Sequence, residues 1–242
     1  MTLARDGFKE MAISTIVLGG LAAAGGWAAV TVSPWYLLFA APLAALWGFS
    51  ILFFRVPNRS IPTGAGLLVS PADGRITEIS RIENDGFIGR PALRIGIFLS
   101  VFDVHVNRSP CAGRVVSTQY CPGEFLDARH PECGIRNESN TLVIAPHEFT
   151  GPIVVRQVAG LIARRIICRV NPEDSVERGQ LFGLIKFGSR TELIAPLDCG
   201  LEPAVRVGDH VKGGSSVLLM PAGRPIDTNM GTANRRPTAA GV

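Results

Sequence analysis

From Met11 to Phe54 the chain carries no Asp, Glu, Lys or Arg, whereas a helix on the surface of a soluble domain keeps one charged or polar face. Ser33-Pro34 divides the run into two apolar stretches, each close to the ~20 residues a helix needs to cross hydrocarbon. Two membrane-spanning helices are therefore predicted over residues 11–54, after a short N-terminus at residues 1–10. Arg5 and Lys9 precede the first stretch, Arg55 and Arg59 follow the second, and the connection from Thr31 to Trp35 carries no positive charge. Positive flanks stay in the cytoplasm, so both ends of the hairpin are expected there. A cleaved signal peptide accounts for Arg5, Lys9 and one apolar run; it does not account for the second. Gly19, Gly20, Gly25 and Gly26 suit close helix packing, and a re-entrant hairpin is the shallower alternative to a full crossing.

After Phe54 the stretch "RVPNRSIPTGAG" is rich in Pro, Gly and Arg, and reads as a linker over residues 55–66. The body is expected at residues 67–221. Its strand signals, "LLVS", "LRIGIFLSV", "GRVVSTQ", "TLVIAP" and "PIVVRQVAG", are bounded by Pro, Gly, Asn or Asp. "LIARRIICRV" satisfies either a helical or a strand period. Residues 222–242 have the composition of a flexible tail. The expectation is a mostly β, α+β protein.

One internal repeat refines it. "EDSVERGQLFGLI" (residues 173–185) laid over "GDHVKGGSSVLLM" (residues 208–220) matches Asp174 with Asp209, Val176 with Val211 and Gly179 with Gly214. Two copies of turn, inward valine, turn and apolar strand can close a small β-sandwich or barrel-like body about a pseudo-dyad, as in biotinyl and lipoyl carrier domains. A carrier-like binding module is thus one functional alternative, although Lys212 lies between Val211 and Gly213 and lacks the surroundings of a biotinyl or lipoyl lysine.

Composition removes other classes. The five cysteines are scattered without a C-x-x-C pair, so neither a disulfide framework nor a metal site is expected. A net charge of +4 with 7% aromatic residues offers no basic-aromatic stripe for nucleic acid; an anionic membrane surface is the more natural partner.

Three places carry chemistry. "SPADGRI" holds Asp73, which by itself reads as a turn residue. In "DVHVN", strand alternation would put Asp103, His105 and Asn107 on one face. In "GLIKFGSRTELIAP", Gly188-Ser189 interrupts what would otherwise be a continuous apolar strand. A Ser-His-Asp hydrolase could use Ser189, His105 and an aspartate, but "FGSRT" lacks the G-x-S-x-G elbow and the helix that follows it. His105, His130, His147 and His210 show no zinc-peptidase spacing. A different use explains the glycine. If the Ser189 hydroxyl attacks the Gly188 carbonyl, the peptide becomes an ester, and elimination followed by hydrolysis leaves a pyruvoyl group. Gly tolerates the strained backbone that such a site imposes, ~1–3 kcal/mol.

The ordered set "SPADGRI", "FLSVFDVHVNRSP", "GIRNESNTLVI", "VRQVAGLIARRI", "GQLFGLIKFGSRTEL" and "VRVGDHVKGG", from about Phe54 to Pro221, resembles the phosphatidylserine decarboxylase family, in particular its short prokaryotic branch. The resemblance implies autocatalytic cleavage between Gly188 and Ser189, giving a β chain, residues 1–188, and an α chain, residues 189–242, headed by a pyruvoyl cofactor made from Ser189. It implies a Schiff base with phosphatidylserine and loss of CO2 to give phosphatidylethanolamine; the hairpin suits such a lipid substrate, and its positive flanks place the catalytic domain on the cytoplasmic side of the cell membrane. Asp73 matches a family aspartate implicated in self-cleavage, and His105 the first His of the family's H-x-x-H. Arg108 stands where the longer branch has its second His, which leaves the base for maturation open. Arg190 follows Ser189 where Ser or Thr is common, and Val56 replaces an acid. Arg108, Arg164 and Arg165 are candidates for the lipid phosphate.

Overall fold

A computed structural model describes residues 2–130, 132–161, 165–186 and 188–223. Arg164 and the expected tail beyond residue 223 lie outside the described residues. The chain divides into two compact units, Met1–Asn58 and Arg59–Val242.

The first unit is a helical hairpin. α1 (Phe8–Ser14) continues through a π-helical turn at Thr15–Gly19 into α2 (Gly20–Thr31), and α3 (Leu37–Phe53) returns. Helical segments Arg5–Thr31 and Pro34–Phe53 are long and apolar enough to cross a membrane. Their large side chains point outward, among them Trp27, Trp35, Leu38 and Phe39. Between the helices the contacts are small or polar: a Cβ on Gly25 would lie 3.1 Å from the Ala40 Cβ, Ser14 Oγ meets Ser50 Oγ at 2.8 Å, and Trp47 donates to Thr15 Oγ1 at 3.0 Å. Such contacts suit helices in lipid, where apolar burial gives no drive to pair. The two ends meet, since strand β1 (Thr2–Leu3) pairs with β2 (Arg55–Val56), so the segments flanking the hairpin emerge on one side.

The second unit is almost entirely antiparallel. It comprises β3 (Leu68–Val69), β4 (Gly74–Ile82), β5 (Ala92–Leu99), β6 (Val106–Arg108) and β7 (Gly113–Cys121). A short helix α4 (Cys133–Arg136) precedes β8 (Ser139–Pro146), β9 (Ile153–Val158), β10 (Ile166–Cys168), β11 (Ser175–Val176) and β12 (Leu181–Ile185). The chain ends with β13 (Ser189–Pro196), β14 (Leu201–Pro203), β15 (His210–Val211) and β16 (Val217–Pro221). An eight-stranded sheet in the order β11-β7-β8-β9-β13-β5-β4-β15 curls as a half-barrel, accompanied by two three-stranded sheets, β10-β12-β6 and β14-β16-β3. The ambiguous "LIARRIICRV" contributes the strand β10. Ile76, Ile95, Ile97, Leu142, Ile144, Val155, Phe182, Leu193 and Leu218 fill the interior.

The strand order is a palindrome. Exchanging β3–β5 with β6–β8, and β13–β16 with β9–β12, turns the large sheet onto itself in reverse and swaps the two small sheets. The pseudo-dyad runs between β9 and β13. Hydrogen bonds repeat with it: Ile76 N–H donates to Asp209 O as Val115 N–H does to Asp174 O, and Val69 N–H to Pro110 O as Arg108 N–H does to Pro71 O. Ser70 Oγ donates to Ala72 O at 2.6 Å, and Ser109 Oγ to Cys111 O at 2.7 Å. The duplication thus extends beyond the repeat visible in sequence to "SPADGRI" and "SPCAGRV" (residues 109–115). The matched Asp174/Asp209, Val176/Val211 and Gly179/Gly214 are equivalent; one extra residue after Gly214 makes Leu181–Ile185 correspond to Val217–Pro221. The second copy, β6–β12, is inserted whole into the first, and the chain re-enters the first copy at Ser189.

Candidate active site

Gly188 and Ser189 occupy that re-entry. β12 belongs to a small sheet and β13 to the large one, so the interruption in "GLIKFGSRTELIAP" is where the chain changes sheet. Gly188 has φ +54°, a left-handed conformation that glycine adopts without a Cβ clash. Ser189 begins β13, is fully buried, and its Oγ has no hydrogen-bond partner among the described residues. A buried hydroxyl left unpaired costs about 1–3 kcal/mol, which marks Ser189 as a position kept for something other than stability.

His105 is held against this corner from two sides. Its carbonyl accepts the Ile185 N–H at 3.1 Å, extending the β6–β12 ladder, and its Nε2 accepts the Gly188 N–H at 3.0 Å. The ring's Nδ1 lies 3.0 Å from the Asp103 carbonyl. An acceptor at Nε2 and a carbonyl at Nδ1 select the Nδ1–H tautomer. His105 and Asn107 are completely buried.

The expected alternation of Asp103, His105 and Asn107 along one strand is not what forms. β5 stops at Leu99 and β6 starts at Val106. Between them Asp103 Oδ2 accepts both the Ser100 N–H at 2.8 Å and the Ser100 Oγ–H at 2.7 Å. A side-chain cap of this kind competes with ladder hydrogen bonds and turns the backbone. Asp103 Oδ1 lies 3.0 Å from His210 Nε2 on β15, so the turn is tethered to the C-terminal segment.

Asp73 is also buried. Its Oδ1 accepts the Gly213 N–H at 2.8 Å, and its Oδ2 accepts from Arg59, so Arg59, the first residue of the second unit, serves the site. Burial pushes the Asp73 carboxyl above the usual range; Arg59 and the Gly213 N–H oppose this, and the Asp103 charge adds to it. In the second copy Ala112 stands where Asp73 stands in the first, so the carboxyl is present once.

Inside the body, Asn140 donates to Gln157 Oε1 at 3.0 Å, Gln157 to Asn107 Oδ1 at 2.8 Å, and Asn107 to Thr191 Oγ1 at 3.1 Å. This chain of amides spans β8, β9, β6 and β13 and braces the strand that Ser189 begins. On the opposite face Arg190 donates to Glu192 Oε1 at 2.8 Å and to Glu78 Oε2. Arg108, a candidate phosphate ligand, donates to the Gly179 carbonyl at 2.8 Å; burial and the nearby Arg59 charge lower its pKa. Arg165 is exposed. All five cysteines are free, and among the described residues no cluster of His, Cys, Asp or Glu is placed to hold a metal.

The structure therefore brings His105 into direct contact with Gly188, the residue bonded to Ser189, and puts Asp73 at the same end of the sheet. Arg75 on β4, Phe98 on β5 and Arg190 on β13 form one cross-strand row, with Asp73 just beyond its first member and Ser189 beside its last. Arg59, Asn137 and His210 received no site role from the sequence; Asn137 lies within "GIRNESNTLVI" and His210 within "VRVGDHVKGG", whereas Arg59 lies in the expected linker.

Known proteins resemble the chain over most of its length. Residues 46–219 match the family described as phosphatidylserine decarboxylase. A phosphatidylserine decarboxylase proenzyme of Rhodopirellula baltica is 43% identical over 215 residues, covering 88% of this chain and 86% of the relative. One from Nitrosomonas eutropha is 39% identical, covering 89% and 94%, and one from Symbiobacterium thermophilum is 47% identical, covering 74% and 81%. With the Gly188-Ser189 corner inside the matched region and the likeness running along most of both chains, this chain belongs to the phosphatidylserine decarboxylase family.

Proposed function

We propose that the chain is a precursor that cuts itself between Gly188 and Ser189, converts Ser189 into a pyruvoyl group, and with it decarboxylates phosphatidylserine to phosphatidylethanolamine. The observation that carries this reading is the buried Ser189 Oγ, without a partner among the described residues, directly after a glycine at φ +54°. Ser189 Oγ bonds to the Gly188 carbonyl carbon, the C–N bond breaks, and the hydroxyl proton ends on the freed amine, leaving an ester. Loss of the Ser189 α-proton expels Gly188 as a carboxylate. One water then replaces ammonia, leaving an α-keto acyl group at the head of the second chain. Asp73, with its raised pKa, is the candidate for proton transfer in these steps.

The new terminus stays in place. β13 lies between β5 and β9, β15 pairs with β4 and β16 with β3, so the α chain remains threaded through the β chain. Once formed, the pyruvoyl group supplies an electrophilic carbonyl for the substrate amine and a sink for the electron pair released with CO2. His105 is assigned the proton that replaces the carboxylate on the substrate carbon, since an imidazole has one nitrogen that donates and one that accepts. The apolar hairpin is assigned to hold the catalytic unit on the cytoplasmic membrane face, where the lipid substrate lies.

Denaturing mass spectrometry tests this. Two chains are expected, the smaller blocked at its N-terminus by a carbonyl that hydroxylamine traps, while Ser189→Ala stays whole. An active wild-type protein found as one intact chain would overturn the pyruvoyl reading and favour a Ser-His-Asp hydrolase.

A further inference from the structure

Gly160, just after β9, lies against the scissile carbonyl. A Cβ on Gly160 would sit 2.3 Å from the Gly188 oxygen and 3.2 Å from its carbonyl carbon, well inside van der Waals contact. Gly160 is not among the glycines with positive φ, so a left-handed backbone is not what calls for glycine here; the carbonyl beside it is. The segment is also fixed. The carbonyl of Ala159 accepts from Asn137 Nδ2 at 2.8 Å, and the Ala159 N–H donates to Glu138 O at 2.9 Å. Asn137, 2% exposed, donates in addition to Leu126 O at 2.8 Å and accepts the Leu126 N–H at 2.9 Å. A buried amide with this many backbone partners is a clamp on three segments.

We propose that Gly160, clamped by Asn137, is a positioning residue for self-cleavage: its bare backbone seats the Gly188 carbonyl and leaves it room to become tetrahedral. This rests on the self-cleavage reading above. As Ser189 Oγ bonds to the Gly188 carbon, the π pair moves onto the oxygen that faces Gly160. When that pair returns, the C–N bond breaks and the Oγ proton ends on the Ser189 nitrogen. The oxygen leaves the peptide plane during this step, so free space beside it matters more in the transition state than in the precursor. A methyl group at position 160 displaces the carbonyl, and misplacement by ~1 Å costs about 100-fold in rate.

The test follows the appearance of the two chains after cell-free synthesis of full-length wild type, G160A, G160A/A128G and N137A. G160A is expected to fold, to process about 100-fold more slowly, and to yield no new fragment with hydroxylamine, which cuts an ester but not a peptide. Wild-type processing by G160A, or an accumulated hydroxylamine-labile ester in it, would overturn the proposal. The Ala128 Cβ lies 3.3 Å from the same Cβ position, so A128G removes crowding from that methyl and leaves the carbonyl contact; restored processing in the double variant would move the effect away from the carbonyl and overturn it as well. Should G160A fail to fold, N137A decides, because it adds no atom near the carbonyl: slowed, ester-free processing supports the clamp and unchanged processing refutes it. If wild type itself stays whole, the self-cleavage reading has failed; if wild type is cut and G160A equally fast, Gly160 alone has.

Discussion

The N–H of Gly188 donates to Nε2 of His105 at 3.0 Å, so the histidine holds the residue whose carbonyl is the target in the proposed self-cleavage. The ring is buried, and an acceptor nitrogen at Nε2 makes it the neutral, Nδ1-protonated form. In the proposed mechanism this contact gives His105 two tasks, orienting the Gly188-Ser189 peptide before cleavage and supplying the substrate carbon with a proton afterwards.

His105→Ala is expected to lose about 10²–10⁴-fold in decarboxylation, the usual range for a general acid or base. Processing should slow too, because Gly188 loses its acceptor. Turnover per hydroxylamine-reactive carbonyl separates the two defects. Wild-type turnover in the matured fraction would remove His105 from decarboxylation, and unchanged cleavage would remove it from maturation.

Asp73 makes a prediction about pH. Burial raises its folded pKa, opposed in part by Arg59 and Gly213, so the folded state binds the proton more tightly than the unfolded chain. Its favourable contribution is complete below the unfolded value, about 3.9, and is lost as pH rises through the folded value. Asp73→Asn keeps the shape and removes the titration. Measured in the Ser189→Ala background, where neither chain is cut, the melting temperature of the Asn variant relative to its parent should climb from acid to neutral pH. A gap that stays flat or shrinks would mean that the Arg59 ion pair outweighs burial.

Local pattern carried the strands, the Gly188-Ser189 break and part of the repeat, because each is written in neighbouring residues. Partners far apart in the chain were not legible. His210 meets Asp103 across 107 residues, and Gly213 meets Asp73 across 140. The Asp103 turn was missed for another reason: "DVHVN" alternates as a strand does, and the cap from Asp103 to Ser100 overrides that alternation. "SPADGRI" and "SPCAGRV" share four of seven residues, yet their equivalence emerges only from the matching hydrogen bonds of the two copies.

The hairpin predicts how the protein sits in cells. Salt screens attraction between surface charges and leaves apolar insertion intact, so the protein should stay in the membrane fraction through a high-salt wash. β1 pairs with β2, which puts both flanks on one side. Reporter fusions at the N-terminus and after Arg59 should both signal cytoplasm; opposite sides would leave a single span.

Arg190, the residue next to Ser189, gives the last test. Its guanidinium lies flat on β5, where a Cβ on Gly96 would come within 2.3 Å of it, and it bonds Glu192 and Glu78. For Glu78, burial pushes the carboxyl up, but hydrogen bonds from Ser80, Arg94 and Arg190 prevail and hold it at about 2. A depressed folded pKa stabilises above the unfolded value, about 4.3, and that stability disappears as pH falls toward 2. Breaking a buried pair costs about 3–5 kcal/mol; because Glu78 is 30% exposed, solvent reduces this, and Arg190→Ala should cost about 2–3 kcal/mol in denaturant unfolding of the Ser189→Ala chain. Its stability should also fall less steeply on acidification than that of its parent. In the otherwise native chain the same substitution frees the first residues of β13, so the proposed cleavage should slow. Full stability with an unchanged acid limb would show that Arg190 is a passive neighbour of the site.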